Sequence, residues 1–179
     1  MNYHNIIDFW FTECKPSDWF KRSDAFDAII KERFGEIHQQ AALGETYTWR
    51  TSIDGRLAEI ILLDQFSRNL YRNSQRAYAQ DAQALALAQE AVAQGIDKNL
   101  EYTEKAFLYM PYMHSESAVI HEEADRLFKA LNKEDNYEFE LRHKAIIERF
   151  GRYPHRNKVL GRESTQEEKS FLLEVGSSF

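Results

Sequence analysis

The chain has 179 residues, of which 43% are hydrophobic and 29% charged, and its formal net charge is −6. That length suits one domain able to bury a sizeable core, and the acidic balance argues against nucleic-acid binding by bulk attraction. A lone cysteine, Cys14, excludes a disulfide framework and a thiolate zinc cluster, and fits a reducing compartment.

The opening "MNYHNIIDFWF" holds a short apolar run without a basic leader, interrupted by Asp8. It does not read as a targeting signal, and nowhere do apolar residues run long enough to span a bilayer. A soluble, cytoplasmic protein with no membrane contact is expected. The first helix is predicted from a cap at Ser23 or Asp24 to Gly44, with a break at Gly35 open. Residues 54–72, "DGRLAEIILLDQFSRNLYR", predict a longer helix, apolar on nearly every side and therefore central, with Ile60–Phe66 its most buried part.

An alanine-rich helix follows, capped by Asp81 and stopped by Gly95. The next begins at Thr103, and Pro111 is expected to end or kink it near Met110. Further helices are predicted from about Ser115 to Leu131, from Tyr137 to Phe150, and from a capping box in "STQEE" at Ser164 or Thr165. Seven or so helices with short links and no strand alternation predict a single all-α domain over 1–179, an antiparallel helical-hairpin array. "AYAQDAQALALAQEAVAQG" has the small-residue spacing of a tetratricopeptide-type helix, without a clean repeat of about 34 residues.

Several polar residues fall where an apolar stripe or a bend would hold them. Asp64 and Arg68, four apart among aliphatics, can pair, and a desolvated pair needs further partners. One reading is structural. The other has Arg68 facing a ligand while Asp64 orients it, with Asn69 and Gln65 extending the network. In "YMPYMHSE", His114, Ser115 and Glu116 fall at a bend. Ser115 is a natural helix cap, Glu116 projects onto the stripe of the following helix and needs an Arg or His partner, and His114 is the acid–base candidate. His143 lies on an apolar face, either as a satisfied core residue or reaching the same space as His114. His4, His38 and His121 show no comparable setting.

"RFGRYPHRNKVLGRESTQEE", Arg149–Glu168, carries four arginines, a lysine and a histidine up to Arg162 without an acid. A Gly-framed loop before a helix start suits an anion, and arginine forks hold phosphate or carboxylate. Arg152, Arg156, Asn157 and Arg162 are therefore candidate ligand contacts, with Arg156 expected to be structural and Arg152 or Arg162 to face the ligand. Alternatively these arginines answer internal acids, and any surplus over buried acid is left for a ligand. His155 joins His114, Glu116 and Asp64 as a candidate catalytic group. No Walker loop, dinucleotide fingerprint, zinc-protease helix or nucleophile elbow is present, so neither a cofactor nor a metal is expected.

The segments "IIDFWF", "LLDQFSRNLYR", "FLYMPYMHSE" and "HKAIIERFGRYPHRNKVLGRESTQEEKSFL" resemble, over nearly the whole chain, the bacterial domain-of-unknown-function family numbered 924. The resemblance implies a tetratricopeptide-like superhelix but no activity. The family's motifs fall on Asp64–Asn69, Met113–Glu116 and Arg149–Asn157. Ser67 stands where the family commonly has proline, which should leave that helix straighter, and Tyr153 stands for phenylalanine. Three functions follow as expectations: a module binding a small anion or peptide carboxylate, a hydrolase or transferase on an anionic substrate with His114 or His155 as acid–base, and a protein-interaction scaffold.

Overall fold

The computed structural model describes residues 2–178. Among them every regular element is helical: α1 (His4–Asp8), α2 (Pro16–Phe20), α3 (Asp24–Ala42), α4 (Ile53–Ile61), α5 (Ser67–Leu70), α6 (Asp81–Ala93), α7 (Tyr102–Met113), α8 (Ala118–Ala130), α9 (Glu134–Phe150) and α10 (Gln166–Phe171). The protein is all-α, and no helix among the described residues is long and apolar enough to cross a membrane.

Local chemistry sets most helix ends. The Ser23 hydroxyl accepts the Phe26 N–H at 3.2 Å and starts α3, which runs through Gly35 without a break. Ser52 caps α4 in the same way, and Gly55 is needed there, because a Cβ would lie 2.2 Å from the Trp49 carbonyl oxygen. Thr165 and Glu168 close a reciprocal capping box on α10. Gly151, at φ +67°, ends α9 in the left-handed region and frees the chain to turn back over it.

The helices pack mostly on their chain neighbours, α6 on α7, α7 on α8 and α8 on α9, while α4 lies between α1, α6 and α7. Short links make consecutive pairs antiparallel. The buried run Leu57–Ser67 contains the expected Ile60–Phe66, and its Phe66 joins an aromatic group with Trp10, Phe34 and Phe107. A smaller apolar cluster of Ile146, Ile147, Tyr153 and Phe171 fixes the 149–168 segment against α9.

Three expectations change. The 54–72 helix is not continuous: a wide π-turn over Leu62–Phe66 separates α4 from α5. There the Ser67 hydroxyl donates back to the Leu63 carbonyl at 2.5 Å, a bond that competes with regular winding. Pro111 does not end α7, because Ala106–Met113 is buried throughout and packing outweighs the lost hydrogen bond. Finally, α8 begins at Ala118 after Ser117, so Ser115 and Glu116 lie in the link and not in the helix.

Candidate functional site

The π-turn brings Asp64 under the C-terminal end of α7, where His114 is the last residue before the link. His114 Nδ1 lies 2.7 Å from Asp64 Oδ1, Gln65 Nε2 donates to Oδ2 at 2.5 Å, and an Arg68 amino group stands 3.5 Å from Oδ1. Burial alone would raise the Asp64 carboxyl. The charges of His114 and Arg68 and the hydrogen bonds from His114 and Gln65 outweigh it, and hold Asp64 below the usual carboxylate range. An ionised Asp64 accepts a hydrogen from His114 Nδ1, and Nε2 is the ring's other nitrogen.

Arg68 also reaches forward. Its fork donates to Asp81 at 2.6 and 3.0 Å and to the Ala77 carbonyl. Asp81 opens α6 without capping it, contrary to the expected role, and its carboxylate also accepts from Arg156 at 3.2 Å. Both guanidiniums lie against the Tyr78 ring, at 4.8 Å for Arg68 and 4.6 Å for Arg156, and Arg156 also lies 4.5 Å from the Tyr153 ring. Burial, with the neighbouring Arg68 charge, lowers the pKa of Arg156, and its Nε is buried without a hydrogen-bond partner.

Glu116 faces Arg162, which grips it at 2.6 and 2.9 Å, and accepts the Tyr153 N–H at 2.7 Å. Burial acts to raise this carboxyl, and those partners hold it below its ordinary value. Arg162 in turn donates to the Asn157 side chain at 2.9 Å, and Asn157 to Ser164 at 3.1 Å. His143 donates through Nδ1 to the Phe139 carbonyl at 2.7 Å, and its ring centroid lies 6.4 Å from that of His114. Burial pushes His143 down to about 3 and His155 to about 4, Arg156 adding to the effect on His155.

Asp64, Arg68, His114, Glu116, His143 and Arg156 thus gather around Tyr153 and Asp81, from four separate stretches of chain. Two candidates lie apart. Asn69 donates to Asp27 on α3 beside Arg72, and Arg152 pairs with Glu168 at 2.6 and 2.8 Å. The Arg152 fork, with the Thr165 N–H, holds Glu168 down to about 2. The expected surplus of arginine is absent: Arg149, Arg152, Arg156 and Arg162 each have a carboxylate, in Glu167, Glu168, Asp81 and Glu116. The anion seat expected at the start of α10 is filled by that helix's own Glu168.

A cleft of about 530 Å³ opens over this network. His114, Ser115, Glu116, Asp81 and Arg156 supply its polar wall, and Tyr78, Leu85, Pro111 and Leu160 much of the rest. Sequence reasoning missed Asp81 and Tyr78 as site members. The available signal was that Arg68 and Arg156 needed more acid than Asp64 offers. It also passed over His38 and His121, which are buried in polar contacts, His38 with Ser67 at 2.8 Å and His121 with Glu140 at 2.7 Å.

A model of a family described as bacterial protein of unknown function, DUF924, matches residues 6–176. A solved protein of unknown function from Agrobacterium tumefaciens is similar in structure, with a TM-score of 0.91, 36% sequence identity and 96% of each chain covered. No curated protein matches the chain.

Proposed function

The chain belongs to the bacterial family of unknown function DUF924, and on that premise we propose that its α6–α7 cleft is a catalytic site of hydrolase or transferase type, with His114 as the acid–base group. One observation carries the reading: a histidine in the wall of an open cleft is held through Nδ1, at 2.7 Å, by a carboxylate that is itself out of solvent. Here the imidazole is 18% exposed while its carboxylate is 1% exposed.

In this reading Asp64 orients the ring and stays ionised. His114 Nε2 takes a proton from a water or a ligand hydroxyl and returns it to the leaving group, so the protein ends as it began. Arg68 keeps Asp64 ionised, and Tyr78, Pro111 and Leu160 form the apolar walls against which the ligand excludes water. Such a group is worth about 10²- to 10⁴-fold in rate. The non-catalytic module reading for an anion draws less support, because the arginines of the 149–162 segment already answer internal acids.

The test is turnover of a panel of activated esters, phosphate esters and glycosides by the wild type, His114→Asn and Asp64→Asn. At least one class should be turned over by the wild type and lose about 100-fold or more in His114→Asn. If no class is turned over, or if turnover survives in His114→Asn, the acid–base reading is wrong.

A further inference from the structure

A second cleft of about 340 Å³ lies on the other side of the Gln75–Gln80 segment, lined by His38, Gln39, Leu43, Tyr71, Arg76 and Gln80 among others. Ala79 lines both clefts, which therefore adjoin at this residue. The two differ in charge. Around the first, Arg68 and Arg156 are answered by Asp64 and Asp81, and Arg162 by Glu116. Among the described residues that line the second, Arg76 alone is permanently charged. Its guanidinium lies 3.8 Å from the Tyr71 ring centroid and donates to the Tyr71 hydroxyl at 2.8 Å, and no carboxylate among the described residues pairs with it. His38 adds no charge: burial, with Arg76 beside it, pushes its imidazole down to about 4.

The segment carrying Arg76 is fixed. Ser74 accepts the Arg76 N–H at 3.3 Å, Arg68 holds the Ala77 carbonyl, and Ala77 itself is buried. Arg76 is therefore a cation on a firm backbone, stacked on an aromatic ring that limits its rotamers. Gln39, Gln80 and the apolar residues Ala42, Leu43 and Ala79 share the lining with it. An arginine fork with spare donors, next to apolar wall, recognises an oxyanion on an apolar stem.

We infer that the two clefts form one extended site, which takes an elongated molecule whose anionic end, a carboxylate or phosphate monoester, rests on Arg76 while its apolar body crosses Ala79 toward His114. The inference deepens the acid–base reading and rests on it for the far end of the ligand. It moves the anion contact from the 149–162 segment, where the arginines are spoken for, to a residue that the sequence motifs did not single out. It also accounts for an unanswered arginine beside a charge-balanced cleft in a protein of net charge −6.

Isothermal titration with acetate, hexanoate, hexanol, inorganic phosphate and hexyl phosphate tests it, on the wild type, Arg76→Gln, Ala79→Trp and His114→Asn. Hexanoate should bind at least about tenfold more tightly than acetate, since each buried methylene is worth roughly fourfold. Hexyl phosphate should exceed inorganic phosphate likewise, and whichever hexyl anion binds more tightly identifies the head group. Arg76→Gln should lose about tenfold or more for both hexyl anions but not for hexanol. Ala79→Trp should abolish the chain-length gain and leave acetate unchanged. His114→Asn is read for turnover and not for affinity.

Equal binding of acetate and hexanoate, or hexyl-anion affinity unchanged in Arg76→Gln, overturns the extended site. Turnover that depends on His114, with no role for Arg76, removes this inference and leaves the acid–base reading standing. Tight hexyl-anion binding through Arg76 without any turnover does the reverse.

Discussion

Two acid–histidine pairs, one partly open and one sealed, behave in opposite ways. Asp64 with His114 and Glu140 with His121 both have 2.7 Å contacts through Nδ1. Asp64 is held below the usual carboxylate range, whereas Glu140 is raised above it. Burial pushes both upward, so the difference lies in the company. Asp64 has Arg68 and Gln65 in addition to its histidine, while Glu140 Oε2 is buried with no hydrogen-bond partner among the described residues, and the help of His121 and Lys144 is offset by burial and by the Asp125 charge. His121 donates through Nε2 to the Ser115 carbonyl at 2.9 Å, and both members of its pair are wholly buried. The sealed pair thus anchors the link that carries His114, and the open pair presents a nitrogen to a cleft.

The largest expected effect breaks the open pair. Asp64→Ala leaves Arg68 and His114 without their shared acid and should cost about 3–5 kcal/mol in urea-denaturation stability at neutral pH. A loss under about 1 kcal/mol would show that Asp81 alone satisfies Arg68. Next comes Arg162→Gln, which strips Glu116 of its bidentate partner while leaving the Tyr153 N–H, and should cost about 2 kcal/mol by the same measurement.

Glu140→Gln should cost about 1 kcal/mol or less, because Glu140 tends already to the uncharged form. The pH trends sharpen the contrast. Asp64 has a lowered pKa, so its contribution is present above the unfolded carboxylate range and is lost as pH falls through its folded value. Glu140 has a raised pKa, so its contribution is present below that range and is lost as pH rises through its folded value. The stability gap between wild type and Asp64→Ala should therefore shrink in acid, and the gap to Glu140→Gln should shrink toward neutral pH. Parallel gaps measured from about pH 2, where Asp64 takes up its proton, to about pH 7 would mean that the two acids do not differ.

The smallest effect is expected at Arg156→Met, within about 1 kcal/mol of wild type. The change removes a buried cation with an unpartnered Nε and relieves its repulsion with Arg68, which keeps Asp81 paired. Thermal denaturation decides it, and a drop of about 3 kcal/mol or more would make Arg156 a structural keystone between Tyr78 and Tyr153.

Much of this arrangement was legible in the chain itself. Polar residues on apolar stripes, Asp64, Arg68 and His143, need partners wherever the fold puts them, so picking them required no coordinates. Ser23, Thr165 and Gly151 marked helix ends because capping is a matter of a few adjacent atoms. The π-turn at Leu62–Phe66 and the continuation of α7 through Pro111 were not legible. Both oppose local preference and are held by packing on all sides. Asp81 was hidden because a helix-start aspartate has an adequate local role, and nothing nearby in sequence shows that two distant arginines claim it.

Residue type and helical period alone determined that this protein is all-α, that its centre lies at Ile60–Phe66, and that charges on its core-facing stripes had to meet. Only the tertiary structure decided which charges meet. It matched Arg162 to Glu116, Arg152 to Glu168 and Arg156 to Asp81, left Arg76 unanswered beside a cleft, and sealed His121 while leaving His114 open. The reason is physical: local propensity acts over a turn or two of chain, whereas the partner of a buried charge is whichever opposite charge the packing of distant helices brings within about 3 Å.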